Sequence, residues 1–233
     1  MNTIFISGTD TGVGKTFCAA AMALEIKELG KTVAYFKPVE SGCLGQRSSD
    51  LEFVNKHIKD VFSLYRLKNP ISPHLAARQD GIEISVAEIK KKIAELSSEF
   101  DFLIIEGAGG LLVPITDNYD FSNLVSELDL PLVLVAGSKL GMLNQAKLNF
   151  EYIRQRQIKI LGYVFNETFS LSEAERLGQL EAIKTNRQAL QEVAENYGIS
   201  ELFALPFLSE LPERESLLEL MDNTLFSDKI REI

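Results

Sequence analysis

Apolar positions recur along this chain with two alternating periods. Residues 3–7 are apolar on both faces and end at a glycine, which predicts a buried strand. Residues 15–29, KTFCAAAMALEIKEL, carry helical periodicity and stop at Gly30. KTVAYFK (31–37) predicts a second strand, and SVAE opens a helix over 85–97 with an N-terminal capping box. FDFLIIE (100–106) reads as an apolar strand, FSNLVSEL (121–128) as a short helix and LPLVLVA (130–136) as a strand. A helix over 143–155 and a strand over 159–165 follow. A long helical region over 172–198 then opens with another capping box, ahead of a last strand (202–208) and a closing helix (213–226). The stretch 38–84 is the least regular.

Strands separated by helical crossovers imply a parallel sheet covered on both faces. The expected fold class is therefore α/β: a doubly wound, mainly parallel sheet with helices on both faces. The chain has 233 residues and shows no linker, low-complexity tract or internal repeat, so one domain over 1–233 is expected. A connection as long as 38–84 is usually functional or disordered. Ligands of such sheets bind beyond the carboxyl ends of the strands. In order, those ends lead into GTDTGVGKT, KPVESG, EGAGG, GSKLG, NET and PF, so polar groups and glycines gather at one edge.

Composition narrows the classes. The apolar fraction is 45% and the charged fraction 24%, ordinary for a soluble globular protein. No run approaches 18 uncharged apolar residues, and the N-terminus lacks a signal-peptide pattern, so no membrane association and a cytoplasmic location are expected. Cys18 and Cys43 have no metal-ligand spacing and read as reduced thiols, and neither His57 nor His74 has metal-ligand spacing. The sequon at Asn166 carries no meaning without secretion. The net charge of −9 argues against nucleic acid and anionic lipid as partners. A small anion would need local cations or a divalent metal.

The glycine loop offers the cations. A strand, a glycine-rich turn and Lys-Thr at a helix start aim backbone N–H groups at one point, reinforced by the helix dipole. Lys15 would reach the outer phosphates and the Thr16 hydroxyl would bind Mg²⁺. The spacing is unusual, with five residues between Gly8 and Gly14 where the common loop has four before its Gly-Lys. Glu106, ending an apolar strand, reads as a metal-side carboxylate or as an acidic strand end. Lys37 reads as a surface lysine or as a second cation for a transferred phosphoryl group. Ser41 lies in the same loop. Asp50 fits a helix dipole or a metal equally, and Asn166 fits a turn or an adenine edge.

Together, GTDTGVGKT, KPVESG, SSDLE, SPHLAA, EGAGGLLVP, VAGSKLGMLNQA, YVFNE and LPFL resemble, in order over most of the chain, the dethiobiotin synthetase family. That family's loop is itself one residue longer than the common one. The resemblance implies a P-loop NTPase fold and a homodimer. It implies an ATP-dependent ligase that carboxylates 7,8-diaminopelargonate with CO2 and closes a cyclic urea through a carbamic-phosphoric anhydride, releasing ADP and phosphate. By position, Gly12, Val13, Gly14, Lys15, Thr16 and Phe17 would hold the phosphates. Thr16, Asp50 and Glu106 would form the Mg²⁺ side, with Lys37 and Lys15 catalytic. Thr11 and Ser41 would face the diamine. Glu106, Gly107, Ala108 and Gly109 would approach ATP, and Asn166, Glu167, Leu205, Pro206 and Phe207 would border the adenine. Leu140, Gly141 and Asn144 would receive the substrate carboxylate across the subunit interface.

The alternatives are P-loop ATPases of the partition or division-site type and synthases acting on cobyrinic-acid-type carboxylates. The former normally carry a lysine near the start of the glycine loop, where this chain has Gly8 and Thr9, and their basic surface or tail is not matched by the mixed C-terminus. The latter often carry a further glutaminase domain, for which 233 residues leave no room. A paralogue acting on another diamine stays open.

Overall fold

The computed structural model describes residues 2–45, 47–208, 214–221 and 224–231. In chain order the first half runs β1 (Asn2–Gly8), α1 (Lys15–Glu28), β2 (Val33–Ser41), α2 (Ser49–Val54), β3 (Val61–Leu67), α3 (Pro73–Asp80), α4 (Val86–Glu99) and β4 (Phe102–Gly110). A small antiparallel pair, β5 (Pro114–Thr116) and β6 (Tyr119–Asp120), leads into α5 (Phe121–Glu127). The second half runs β7 (Leu132–Gly137), α6 (Met142–Gln155), β8 (Ile160–Asn166), α7 (Leu171–Arg176), α8 (Leu180–Glu195), β9 (Glu201–Leu205), α9 (Arg214–Met221) and α10 (Leu225–Arg231).

Seven strands form one parallel sheet in the order β3-β2-β4-β1-β7-β8-β9. The expected α/β class is observed, and the reason lies in the strand side chains. Ala34, Phe36, Leu103, Ile105, Leu132 and Leu134 point into one apolar layer. Their neighbours Val33, Tyr35, Phe102, Ile104, Val133 and Val135 point into the other. Strands that are apolar on both faces bury both faces. Helix α1 is buried along its length from Cys18 to Ile26, because α9 and α10 pack over it on the outside.

Several boundaries differ from the sequence expectation. The stretch 38–84 is not irregular: it contains α2, the edge strand β3 and α3. β3 escapes period-two reading because its residues are mostly half-buried, as expected of an edge strand covered unevenly. β2 and β4 each run past the expected end, so Lys37 and Glu106 are interior to their strands rather than terminal. The 172–198 region is two helices, broken at Gly178, whose φ is 66°. Its capping box is Ser170 with Glu173, two residues earlier than expected. Ser85 caps α4 as expected, but Tyr65 stands between the cap and Glu88, accepting from Ser85 N and donating to the Glu88 carboxylate. The last strand stops at Leu205, before Pro206, which cannot donate to a ladder. The closing helix is likewise two, α9 and α10, with Thr224 accepting from Ser227 N at the start of the second. Positions 213, 222 and 223 of that expectation lie outside the described residues.

Candidate active site

The central strand β1 ends at Gly8, and the loop to α1 folds back on itself there. A Cβ on Gly8 would lie 2.7 Å from the Val13 side chain and 2.8 Å from the Asp10 carbonyl oxygen. Gly14 carries φ 89° at the helix N-cap, and a Cβ there would lie 2.1 Å from Asn166 Nδ2. No side chain caps α1 and its first turn holds no acidic residue. Its leading N–H groups and the positive end of its dipole are therefore left without a side-chain partner, a setting that suits an anion.

The additional loop residue is anchored. The Asp10 carboxylate accepts from Thr11 N at 2.7 Å, from Gln145 Nε2 at 3.0 Å and from the Lys139 ammonium. The Lys139 contact holds the Asp10 carboxyl below its ordinary range, against the opposing effect of burial. Asp10 thus fastens the loop to the β7–α6 connection through Lys139 and to the first turn of α6 through Gln145, and its carbonyl oxygen lies 3.5 Å from Lys15 Nζ.

Beside the loop, Glu106 on β4 receives three donors. Thr16 Oγ1 and Lys37 Nζ donate to Oε1 at 3.0 and 2.9 Å, and the Tyr35 hydroxyl donates to Oε2 at 2.8 Å. The Lys37 ammonium also donates to Asp50 Oδ2, so it bridges carboxylates from β4 and α2. Burial alone would lower Lys37, but Glu106 and Asp50 outweigh it and hold the ammonium above the ordinary lysine value. Lys15 is shifted the other way: burial lowers it, Glu106 opposes, and the nearby Lys37 charge adds to the lowering. Glu40 on β2 takes the Ser48 hydroxyl, which itself accepts from Leu51 N and so caps α2, the helix that carries Asp50. Burial raises the Glu40 carboxyl, with the Ser48 bond opposing.

These groups surround a cleft of about 380 Å³. It brings together Thr11, Gly12, Gly14, Lys15, Thr16, Lys37, Ser41, Asp50, Glu106, Ala108 and Gly109, all singled out from the sequence, and adds Glu40. The others lie around it. Val13 is buried beneath the loop, and Phe17 stacks on Phe53 at 6.0 Å. A Cβ on Gly107 would lie 3.0 Å from the Phe5 ring, so Gly107 backs onto the core.

Asn166, at the end of β8, uses its amide nitrogen on the Val13 carbonyl oxygen at 2.9 Å, and so supports the loop from below. Glu167 joins the neighbouring strand end: its N–H donates to the Leu205 carbonyl and its carboxylate accepts from Phe207 N. Asn166, Glu167, Leu205, Pro206 and Phe207 therefore share one stretch of the sheet edge. Leu140, Gly141 and Asn144 do not line the cleft. All three are exposed, with Leu140 at 66%, on the segment that Asp10 grips. Glu40 and Tyr35 were missed. Glu40 carries a readable signal, a carboxylate in KPVESG between Lys37 and Ser41; Tyr35 reads only as one more apolar strand residue. Cys18 and Cys43 are free and buried.

The oxygens of Thr16, Asp50 and Glu106 are hard donors suited to Mg²⁺. Among the described residues no three His, Cys, Asp or Glu side chains cluster as a metal site by themselves. A metal held here would need oxygens from a bound phosphate, the usual manner of Mg²⁺.

Comparison with known proteins follows the same line. The AAA domain family matches residues 2–219. Among solved structures, the chain is similar to the MinC:MinD cell division complex of Aquifex aeolicus, with TM-score 0.57 and 14% identity over 100% of this chain and 95% of that one. It is also similar to a ParA family ATPase of Chlorobium tepidum, with TM-score 0.53 and 13% identity over 99% and 97% of the two chains. Likeness at such identity shows the P-loop fold alone. Sequence relatives are nearer. An ATP-dependent dethiobiotin synthetase of Nitrosospira multiformis is 41% identical, covering 70% of this chain and 74% of its own. One of Methanococcus vannielii is 37% identical, covering 70% and 78%. One of Thermodesulfovibrio yellowstonii is 33% identical over 224 residues, 89% of both chains. The chain belongs to the ATP-dependent dethiobiotin synthetase family.

Proposed function

We propose that this protein is an ATP-dependent dethiobiotin synthetase, joining 7,8-diaminopelargonate and CO2 into a cyclic urea at the expense of ATP. The observation that carries the reading, beside the relatives, is the cleft that places two buried lysines, Lys15 and Lys37, at an uncapped helix N-terminus. Its chemistry needs cations on several sides, because a carbamate and a γ-phosphate repel one another.

One amine of the diamine adds to CO2 and loses a proton, giving a carbamate. A carbamate oxygen attacks the γ-phosphorus, the bond to ADP breaks, and a carbamic-phosphoric anhydride forms. The second amine attacks the carbonyl carbon and loses its proton, phosphate departs, and the ring closes. No protein nucleophile is consumed, so positioning and electrostatics account for the rate. In this reading the loop N–H groups and Lys15 hold the phosphates, and Lys37 turns from Asp50 and Glu106 toward the oxygens of the transferred phosphoryl. Thr11 and Ser41 orient the diamine. Thr16, Asp50 and Glu106 would hold Mg²⁺, which would offset phosphate charge. Asn166 supports the loop and, with Glu167 and residues 205–207, borders the adenine.

We further read the whole chain as one domain acting as a cytoplasmic homodimer, with Leu140, Gly141 and Asn144 serving the neighbouring subunit's cleft; their exposure beside the cleft supports this. No helix among the described residues is long and apolar enough to cross a membrane. The experiment is ADP release with the diamine and bicarbonate each omitted in turn. Turnover should require both. Turnover that persists without the diamine, or that answers to DNA or lipid, would sink the proposal in favour of a partition-type ATPase. Sedimentation showing only monomer at working concentration would sink the shared site.

A further inference from the structure

We infer that Tyr35 is a positioning residue for the metal-side carboxylate, its hydroxyl fixing Glu106 so that Oε1 faces the cleft and Oε2 faces the core. The inference rests on the metal assignment proposed above. Tyr35 and Lys37 are alternate residues of β2 and project from the same face of the sheet. Lys37 lines the cleft, whereas Tyr35 is fully buried in the apolar layer beneath α1.

The two oxygens of Glu106 are served from opposite sides. Oε1 receives Thr16 and Lys37, both groups of the cleft. Oε2 receives only the Tyr35 hydroxyl, at 2.8 Å, among the described residues. Once Thr16 and Lys37 turn from Oε1 toward a metal and a phosphate, a carboxylate without a donor on its inner oxygen would be free to turn about its last bond and offer either oxygen, or both, to the metal. One donor from the core removes that freedom. Packing alone does not call for the hydroxyl, since phenylalanine would fill the same space with no polar atom to bury. Outer partners of this type commonly change metal affinity by roughly tenfold or more when removed.

The test is the affinity of the ADP-bound enzyme for Mn²⁺, read from the electron paramagnetic resonance signal of free Mn²⁺. Tyr35→Phe should weaken it by roughly tenfold, with ADP affinity in chelator unchanged; Tyr35→Leu, also lacking the hydroxyl, should do the same. In a Glu106→Gln background, which has no carboxylate to orient, Tyr35→Phe should leave Mn²⁺ affinity unchanged. Unaltered affinity in the first case, or the same loss in both backgrounds, would overturn the inference. The titration needs neither diamine nor bicarbonate. A wild-type enzyme that takes up no Mn²⁺ would remove the metal assignment itself, and is thereby told apart from a failure of Tyr35.

Discussion

Replacing Gly14 by alanine should be among the most damaging single-methyl additions available to this fold. Two costs combine. The residue holds φ 89°, in the left-handed region, where a non-glycine residue costs roughly 1–2 kcal/mol. The added methyl would also lie 2.1 Å from Asn166 Nδ2, which must move and surrender its 2.9 Å bond to the Val13 carbonyl. Leaving that buried acceptor unpaired costs roughly 1–3 kcal/mol. The sum, roughly 2–5 kcal/mol, is a large part of an ordinary domain's stability of about 5–15 kcal/mol. Urea unfolding of Gly14→Ala, Asn166→Ala and the double variant separates the two. Asn166→Ala alone forfeits the bond, and adding Gly14→Ala to it should then cost only the backbone part. The double variant should therefore be more stable than the two singles predict by addition, by roughly 1–3 kcal/mol. Strict additivity, or a Gly14→Ala loss below about 0.5 kcal/mol, would refute the reasoning.

Three further outcomes follow from the cleft. Lys37→Ala should lower turnover by on the order of 10²–10³ while ATP still binds; near wild-type turnover in a steady-state assay would remove Lys37 from the reaction. Thr16→Val deletes the hydroxyl that reaches Glu106 and should raise the Mg²⁺ concentration needed for half-maximal ATP binding; an unchanged Mg²⁺ dependence would refute its metal-side role. Glu40 has a raised pKa when folded, so above the ordinary carboxylate value the folded protein holds a proton that the unfolded chain has lost, and stability should fall as pH rises through that window. Glu40→Gln should flatten the slope of urea midpoint against pH above the ordinary carboxylate value of 4.5, and parallel curves would contradict the shift.

What was legible in the sequence tracks how local the determining physics is. Glycine placement and apolar runs are local, so the loop, α1 and the buried strands could be read directly. Strand β3 could not, because an edge strand with a half-buried face shows no clean alternation, and its pairing with β2 joins residues such as Phe36 and Phe62 far apart in the chain. Most cleft residues were legible because they stand in motifs within or just after the carboxyl half of a strand, whereas Asp50 stands in the first turn of α2 and its SSDLE context fitted a helix dipole as well as a metal. Their partnerships were not legible. Nothing in KPVESG says that Glu40 will take the Ser48 hydroxyl, and nothing in YVFNE says that Asn166 will turn its amide under the loop. Such contacts depend on which strand lies next to which, and that order is set by the whole sheet.

Lys15 and Lys37 share the cleft yet are shifted in opposite directions from the ordinary lysine value, and the difference has a measurable consequence. Lys37 rests between two carboxylates and is a firmly held cation. Lys15 is 7% exposed and reaches the Asp10 carbonyl oxygen only at 3.5 Å, so burial depresses it below the ordinary lysine value of 10.5. A phosphate arriving at the loop adds to the counter-charge of Glu106, which alone does not offset burial, and favours the protonated form of Lys15. On the alkaline side of the depressed pKa, ATP binding must then take up a proton, and affinity must fall as pH rises through it. Calorimetry at a series of pH values up to the ordinary lysine value of 10.5, each in two buffers of different ionisation enthalpy, reads the proton directly. A binding heat that depends on the buffer, vanishing in Lys15→Arg because arginine stays charged, is the expected result. Equal heats in both buffers would mean that Lys15 is already fully charged before ATP arrives, and that the loop is electrostatically complete without its ligand.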